Sequence, residues 1–331
     1  MEDIYLGNPN LKKANVAQEF TQEQIEEFMR CAADPVYFAK TYMKIVSLDE
    51  GLIQFKPYDF QEKLITNFHE NRFNICKMPR QTGKSTTSVS YLLHYAVFND
   101  NVNIGILANK AATARDLLAR LQIAYENLPK WMQQGILVWN KGSLELENGS
   151  KIMAASTSAA AVRGMTFNII FLDEFAFVPN HIADDFFSSV YPTISSGKST
   201  KIIIVSTPKG MNHFYRMWHD AENGDNEYVP TVVHWSEVPG RDEAWREQTI
   251  ANTSEAQFKV EFECNFLGSV DTLINPAKLK SLVYDKPKLS NEGLDLYEEP
   301  QEKHDYVCTV DVARGVGEDY STFIIVDITT F

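Results

Sequence analysis

The sequence predicts an α/β protein in which a mostly parallel sheet is flanked by helices. Three observations predict it: short runs of β-branched residues apolar on both faces, helix-length stretches that separate them, and a Gly83-Lys84-Ser85 turn set where one run gives way to a helix. Strands of that kind need cover on both sides. Helices between them supply it.

In chain order, residues 1 to 50 read as a helical segment, because TQEQIEEFMRCAADPVYFAKTYM spaces apolar side chains three to four residues apart and is interrupted at Pro35. From about 72 to 235, FNIC, VNIGILA, NIIFLDE and KIIIVST alternate with helical stretches such as KAATARDLLARLQIAYENL. SLELENGSKIMAAS holds two alternating segments joined by Asn148-Gly149, a strong hairpin signal. The periodic part, 51–270, is expected to be one domain. Residues 271–304, with Pro276, Pro287, Pro300 and the acidic NEGLDLYEEPQE, read as a linker. From 305, YVCTVDVARGVGEDYSTFIIVDIT reads as two strands around a Gly-rich turn. Two strands make no core of their own, so 305–331 is expected to be the cut-off start of a second domain.

Charge and cysteines exclude more than they identify. The chain has 331 residues, with 31 basic against 44 acidic side chains and a formal charge of −13, so contact with nucleic acid must come from local basic patches. Cys31, Cys76, Cys264 and Cys308 lack the close spacing of a zinc or redox motif. The N-terminus lacks the order of a signal peptide, and no apolar run approaches membrane-spanning length. A soluble, intracellular protein is expected.

The stretch NICKMPRQTGKSTTSV, residues 74–89, has the parts of a phosphate-binding loop: Gly83 where a side chain would collide, Lys84 to reach the outer phosphates, and Ser85 to hold Mg2+. Arg80, Gln81, Thr82 and Thr86 complete the candidate loop contacts. The first Gly of the usual pattern is missing, with Met78 in its place, and on the tripeptide alone a phosphate site and a plain strand-to-helix turn are both open. The acid pair Asp173-Glu174 at the end of NIIFLDE decides between them. One carboxylate can hold Mg2+ while the other orients and deprotonates water. Loop and acids in this order, each ending a predicted strand, indicate a P-loop NTPase of the ASCE type that binds ATP. Ser206 and Thr207, ending KIIIVST, fall at the same edge, where their hydroxyls either sense the γ-phosphate or start a turn. Arg80 and Arg163 could each reach developing phosphoryl charge, and surface arginines beside turns are the alternative.

PRQTGKS, GILANKAATARDLL, WNKGSLELENGS, AVRGMTFNIIFLDEFAFVPN, ISSGKSTKIIIVSTPKGMNHFY and TVDVARGVGEDYS resemble, in order, segments of the large terminase subunit of tailed bacteriophages, most closely the T4-like type. The resemblance implies an ATPase that drives double-stranded DNA through a portal protein into a procapsid, in a ring of identical subunits, together with a small terminase subunit in the host cytoplasm. It implies Lys84 and Ser85 as Walker A residues, Asp173 as the Walker B Mg2+ ligand and Glu174 as catalytic base. Arg80 and Arg163 compete for the finger role. Ser206 and Thr207 match a coupling motif, and Tyr58 and Gln61 of YDFQ match an adenine-recognition motif, although those four residues alone say only that a helix begins. It further implies an RNase H-like nuclease half, for which Asp311 matches the first metal-binding carboxylate and Asp319 is a neighbour or a turn residue. One carboxylate cannot build a two-metal site, so no DNA cleavage is expected of this chain. A helicase-like ATPase on DNA or RNA, and a non-catalytic remnant that docks on the portal, are the alternatives.

Overall fold

The computed structural model describes residues 3–47, 49–162, 164–195, 197–266, 286–291, 293–313 and 321–329. The chain divides into two compact units, Met1–Val270 and Asp271–Phe331.

The first unit begins with a small hairpin, β1 (Ile4–Tyr5) and β2 (Asn8–Lys12), where the sequence had suggested only helix. Turn chemistry explains the difference: Leu6 and Gly7 take φ of 46° and 79°, a left-handed reversal that apolar spacing does not reveal. The helical pattern is realised as α1 (Gln22–Ala33) and α2 (Pro35–Tyr42), divided at Asp34-Pro35. A second hairpin follows, β3 (Lys44–Ser47) with β4 (Gly51–Gln54), and then α3 (Asp59–Glu70).

Strand and helix then alternate. They run β5 (Phe73–Lys77), α4 (Lys84–Phe98), β6 (Asn103–Ala108), α5 (Ala111–Glu126), the meander β7 (Ile136–Trp139), β8 (Ser143–Leu146) and β9 (Lys151–Ser156), and the short α6 (Ala159–Val162). There follow β10 (Ile169–Asp173), α7 (Asn180–Ser195), β11 (Lys201–Ser206), α8 (His213–Asn223), β12 (Val229–Val232), α9 (Glu243–Asn252) and α10 (Glu255–Glu261). Among the described residues, eight strands form one sheet in the order β12-β5-β11-β10-β6-β9-β8-β7. The five strands from β12 to β6, and β9 beside β6, are parallel neighbours, while β7-β8-β9 is antiparallel. The turn at Asn148-Gly149 joins β8 to β9, with Gly149 at φ 82°.

The central strands are apolar throughout because each feeds two cores. Ile106, Ile169, Phe171, Ile203 and Val205 face one side, packed with α1 to α5; Leu107, Ile170, Leu172, Ile202 and Ile204 face the other, packed with α7 and α8. Period-two alternation serves both faces at once. The parallel order places β11 between β5 and β10, so the ends of all three strands open on the same sheet edge. No helix among the described residues is long and apolar enough to cross a membrane.

In the second unit, Leu289–Asn291 (β13) and Leu294–Leu296 (β14) form a short hairpin within the stretch read as a linker. Tyr306–Asp311 (β15) pairs antiparallel with Thr322–Asp327 (β16), from Tyr306 opposite Asp327 to Asp311 opposite Thr322. Among the described residues, Val310, Phe323 and Ile324 on these two strands are exposed.

Candidate nucleotide-binding site

Between β5 and α4 the chain makes a loop whose two ends are anchored in the protein. Met78, standing where a glycine is usual, is fully buried in the core under α4, and its N–H donates to the Ser206 carbonyl at 3.0 Å. The position is therefore a core anchor, which removes the need for glycine there. Gln81 and Gly83 adopt φ of 57° and 73°, and Gly83 caps α4. Left-handed turns of this kind orient successive N–H groups toward one concavity, and the N-terminus of α4 adds its dipole.

Lys84 is the first residue of α4 and is only 8% exposed. Its Nζ lies 2.5 Å from Glu174 Oε1 and donates to Thr207 Oγ1 at 3.0 Å. Thus the loop lysine, the acid after β10 and the hydroxyl after β11 meet at one point. Thr207 Oγ1 in turn donates to the Met78 carbonyl at 3.1 Å. Ser206 is buried, accepting from Ala176 N–H at 3.0 Å and donating to the Thr207 carbonyl at 2.9 Å, so it ties the turn after Glu174 to the end of β11. In this structure both hydroxyls are engaged with protein atoms.

Asp173 ends β10 and is buried, with Oδ1 lacking any hydrogen-bond partner among the described residues. Burial and the neighbouring Glu174 push its pKa up to about 6, against the opposing pull of Lys84. A buried, unpaired carboxylate oxygen is costly unless a ligand completes it. Among the described residues no group of three or more His, Cys, Asp or Glu could hold a metal ion. The donors present, the Ser85 hydroxyl in the first turn of α4 and the Asp173 carboxylate, instead fit Mg2+, which takes few protein ligands and completes its shell from phosphate and water. Glu174 has φ 51°, and this left-handed kink carries the chain from β10 into a 3-10 turn, Phe175–Phe177.

Gln61 lies in the first turn of α3 and is buried against the loop. Its Oε1 accepts from Tyr58 N–H at 2.9 Å and its Nε2 donates to the Thr82 carbonyl at 3.1 Å. Tyr58, Gln61, Gln81, Thr82, Gly83 and Thr86 line one side of a cavity of about 670 Å³, and Ile45 and Ile53 of the β3-β4 hairpin line another. Arg80 has a half-exposed side chain paired with Glu261, and its N–H donates to the Glu261 carbonyl at 3.1 Å. Arg163 and Asp319 lie outside the described residues. Asp311, exposed on β15, belongs to the other unit.

Sequence reasoning missed Arg241 and Glu261. Arg241 donates through Nη2 to the carbonyls of Arg80 and Gln81 at 3.1 and 3.0 Å. Both residues lie some 160 positions or more from the loop along the chain, and no local signal marks them.

Fold and site together define a P-loop α/β protein. Residues 75–281 match the family model "Terminase large subunit, T4likevirus-type, N-terminal". The chain belongs to that family. It is 24% identical over 184 residues to the terminase large subunit of Thermus phage G20c, a match covering 51% of this chain and 36% of that relative, so it spans little more than a third of the relative's length. Among solved structures, the large terminase ATPase domain of Thermus phage P74-26 superposes with a TM-score of 0.53 at 20% identity, over 64% of this chain and 95% of that one. A large terminase from a thermophilic bacteriophage, in complex with ATP-gamma-S, superposes with a TM-score of 0.50 at 13% identity, over 63% and 53%. At such identities the likeness speaks for the fold.

Proposed function

We propose that this protein is the ATP-hydrolysing part of a viral DNA-packaging motor. The observation that carries the reading is the meeting of Lys84 with Glu174 and Thr207 at the strand ends, beside the buried and unpaired Asp173. The ATP-gamma-S bound by the thermophilic-phage terminase supports nucleotide as the ligand.

In the proposed reaction the loop N–H groups and Lys84 receive the β- and γ-phosphates. The triphosphate competes with Glu174 for the Lys84 ammonium, which lies 2.5 Å from the Glu174 carboxylate without it. Glu174, released, accepts the proton of the attacking water. Ser85 and Asp173 would hold Mg2+, which would supply neutralising charge at the phosphates. Gln61 and Tyr58 set the wall of the cavity beside the loop, which is large enough for a purine nucleoside. Arg80 or Arg163 supplies a guanidinium to the developing charge. Ser206 and Thr207, bonded to both the acid turn and the loop, pass the state of the site along β11.

The wider reading rests on family membership: translocation of double-stranded DNA, a ring on the portal protein, a small terminase subunit, action in the host cytoplasm at the procapsid, and Asp311 as part of a nuclease centre. For the ATPase, Glu174→Gln tests the assignment. It should bind ATP at least as tightly as the wild type and lose turnover by roughly a hundredfold or more, the range of a positioned general base. An unchanged hydrolysis rate removes Glu174 from that role.

A further inference from the structure

Residues 235–262 form an aromatic block outside the sheet. Trp235 stacks on Trp245 with ring centroids 5.8 Å apart, Trp245 meets Phe262 edge-on at 5.1 Å, and Phe258 closes the group against Trp235 at 5.7 Å. The guanidinium of Arg241 lies over Trp245 and Phe262, 4.8 and 5.6 Å from their centroids. From this platform one nitrogen, Nη2, reaches two consecutive loop carbonyls, those of Arg80 and Gln81. Glu261, the last residue of α10, holds the same loop at the Arg80 N–H and side chain.

A loop that turns its N–H groups toward an anion must turn carbonyls the other way, and those carbonyls need donors. A cationic donor makes the stronger bond, and one pre-ordered by stacking loses little entropy in making it. We propose that Arg241 is a positioning residue for nucleotide binding, holding the carbonyl side of the phosphate loop so that its N–H side faces the phosphates. The inference rests on the nucleotide reading above. Arg241 touches the loop backbone and acts through it. Lysine cannot substitute, since a compact ammonium neither lies flat on Trp245 nor offers the same planar array of donors.

The test uses the full chain with a fluorescent ADP analogue, ATP turnover, and hydrogen exchange of the amides of residues 80–83. Arg241→Lys should weaken ADP binding several-fold and Arg241→Ala by roughly tenfold, about the size of one lost charged hydrogen bond. In both, KM should rise far more than kcat falls, and loop exchange should quicken without nucleotide. Should Arg241→Ala fail to fold, shown by lost near-UV signal from the tryptophans, Arg241→Lys decides alone. Wild-type affinity in Arg241→Lys overturns the proposal. So does weakened binding with unaltered loop exchange, which would make Arg241 a direct ligand contact. Lys84→Ala separates the two readings. If it binds ADP as the wild type does, the nucleotide site itself is misassigned; if it does not bind while Arg241→Lys binds normally, only the clamp fails.

Discussion

Gly83 shows how much one position can carry. Its φ of 73° already disfavours any side chain, and an added Cβ would stand 2.5 Å from Gln61 Nε2. Alanine there should cost roughly 1–2 kcal/mol in backbone strain and push Gln61 off the Thr82 carbonyl. Gly83→Ala is therefore expected to lower thermal stability and weaken nucleotide binding together. Adding Gln61→Ala should recover part of the loss, because it removes the collision but not the strain; fully additive effects in that double-mutant cycle would show that the two side chains do not meet. The tripeptide alone left a phosphate loop and a plain turn both open in the sequence, and only the later acid pair Asp173-Glu174 favoured the loop. Gln61 was legible only through family resemblance. Nothing local reports that an amide twenty-one residues upstream braces the loop.

Among elements, the break between α1 and α2 gives the clearest link from sequence to geometry. Asp34 N–H donates to the Arg30 carbonyl at 3.1 Å, closing α1, while its Oδ1 accepts from the N–H groups of Val36 and Tyr37, each at 2.9 Å, opening α2. Pro35 follows at a position where a missing N–H costs nothing. Asp34→Ala should lower unfolding free energy by about 1 kcal/mol and Asp34→Asn by less, read as the shift in urea midpoint at constant slope. A wild-type midpoint in Asp34→Ala would mean that packing alone fixes the corner. The first hairpin and β12 escaped the sequence for opposite reasons. β1-β2 depends on a left-handed reversal at Leu6-Gly7, whereas β12 contains Pro230, which suits the edge position it occupies beside β5 but argues against a strand in isolation.

At the scale of the whole molecule, a titratable group in the core under α4 ties stability to pH. His94 is buried with its Nε2 hydrogen-bonded to the Cys31 carbonyl at 2.8 Å, and burial lowers its pKa from 6.5 to about 4. Between those two values the unfolded chain takes up a proton that the folded chain refuses. Stability from His94 is thus complete above pH 6.5 and is lost as pH falls toward 4, by at most about 3 kcal/mol. Comparison with His94→Gln cancels the other titrating groups. The wild type should lose stability relative to the variant between pH 7 and 4.5 in urea denaturation, and parallel curves would show that His94 is solvated in the fold.

Taken alone, the sequence determined the class of fold, because strand periodicity is a local pattern, and it made a phosphate site the expectation only through the order of a Gly-Lys-Ser turn and an acid pair, each of which by itself has other uses. Tertiary structure decided that Lys84 rests on Glu174 and Thr207, that Met78 is an anchor, and that Arg241 and Glu261 grip the loop from an aromatic block near the end of the first unit. The reason lies in distance along the chain. Those contacts join residues 90 to more than 180 positions apart, and their existence depends on the order in which β5, β11 and β10 lie side by side, which no stretch of residues encodes by itself.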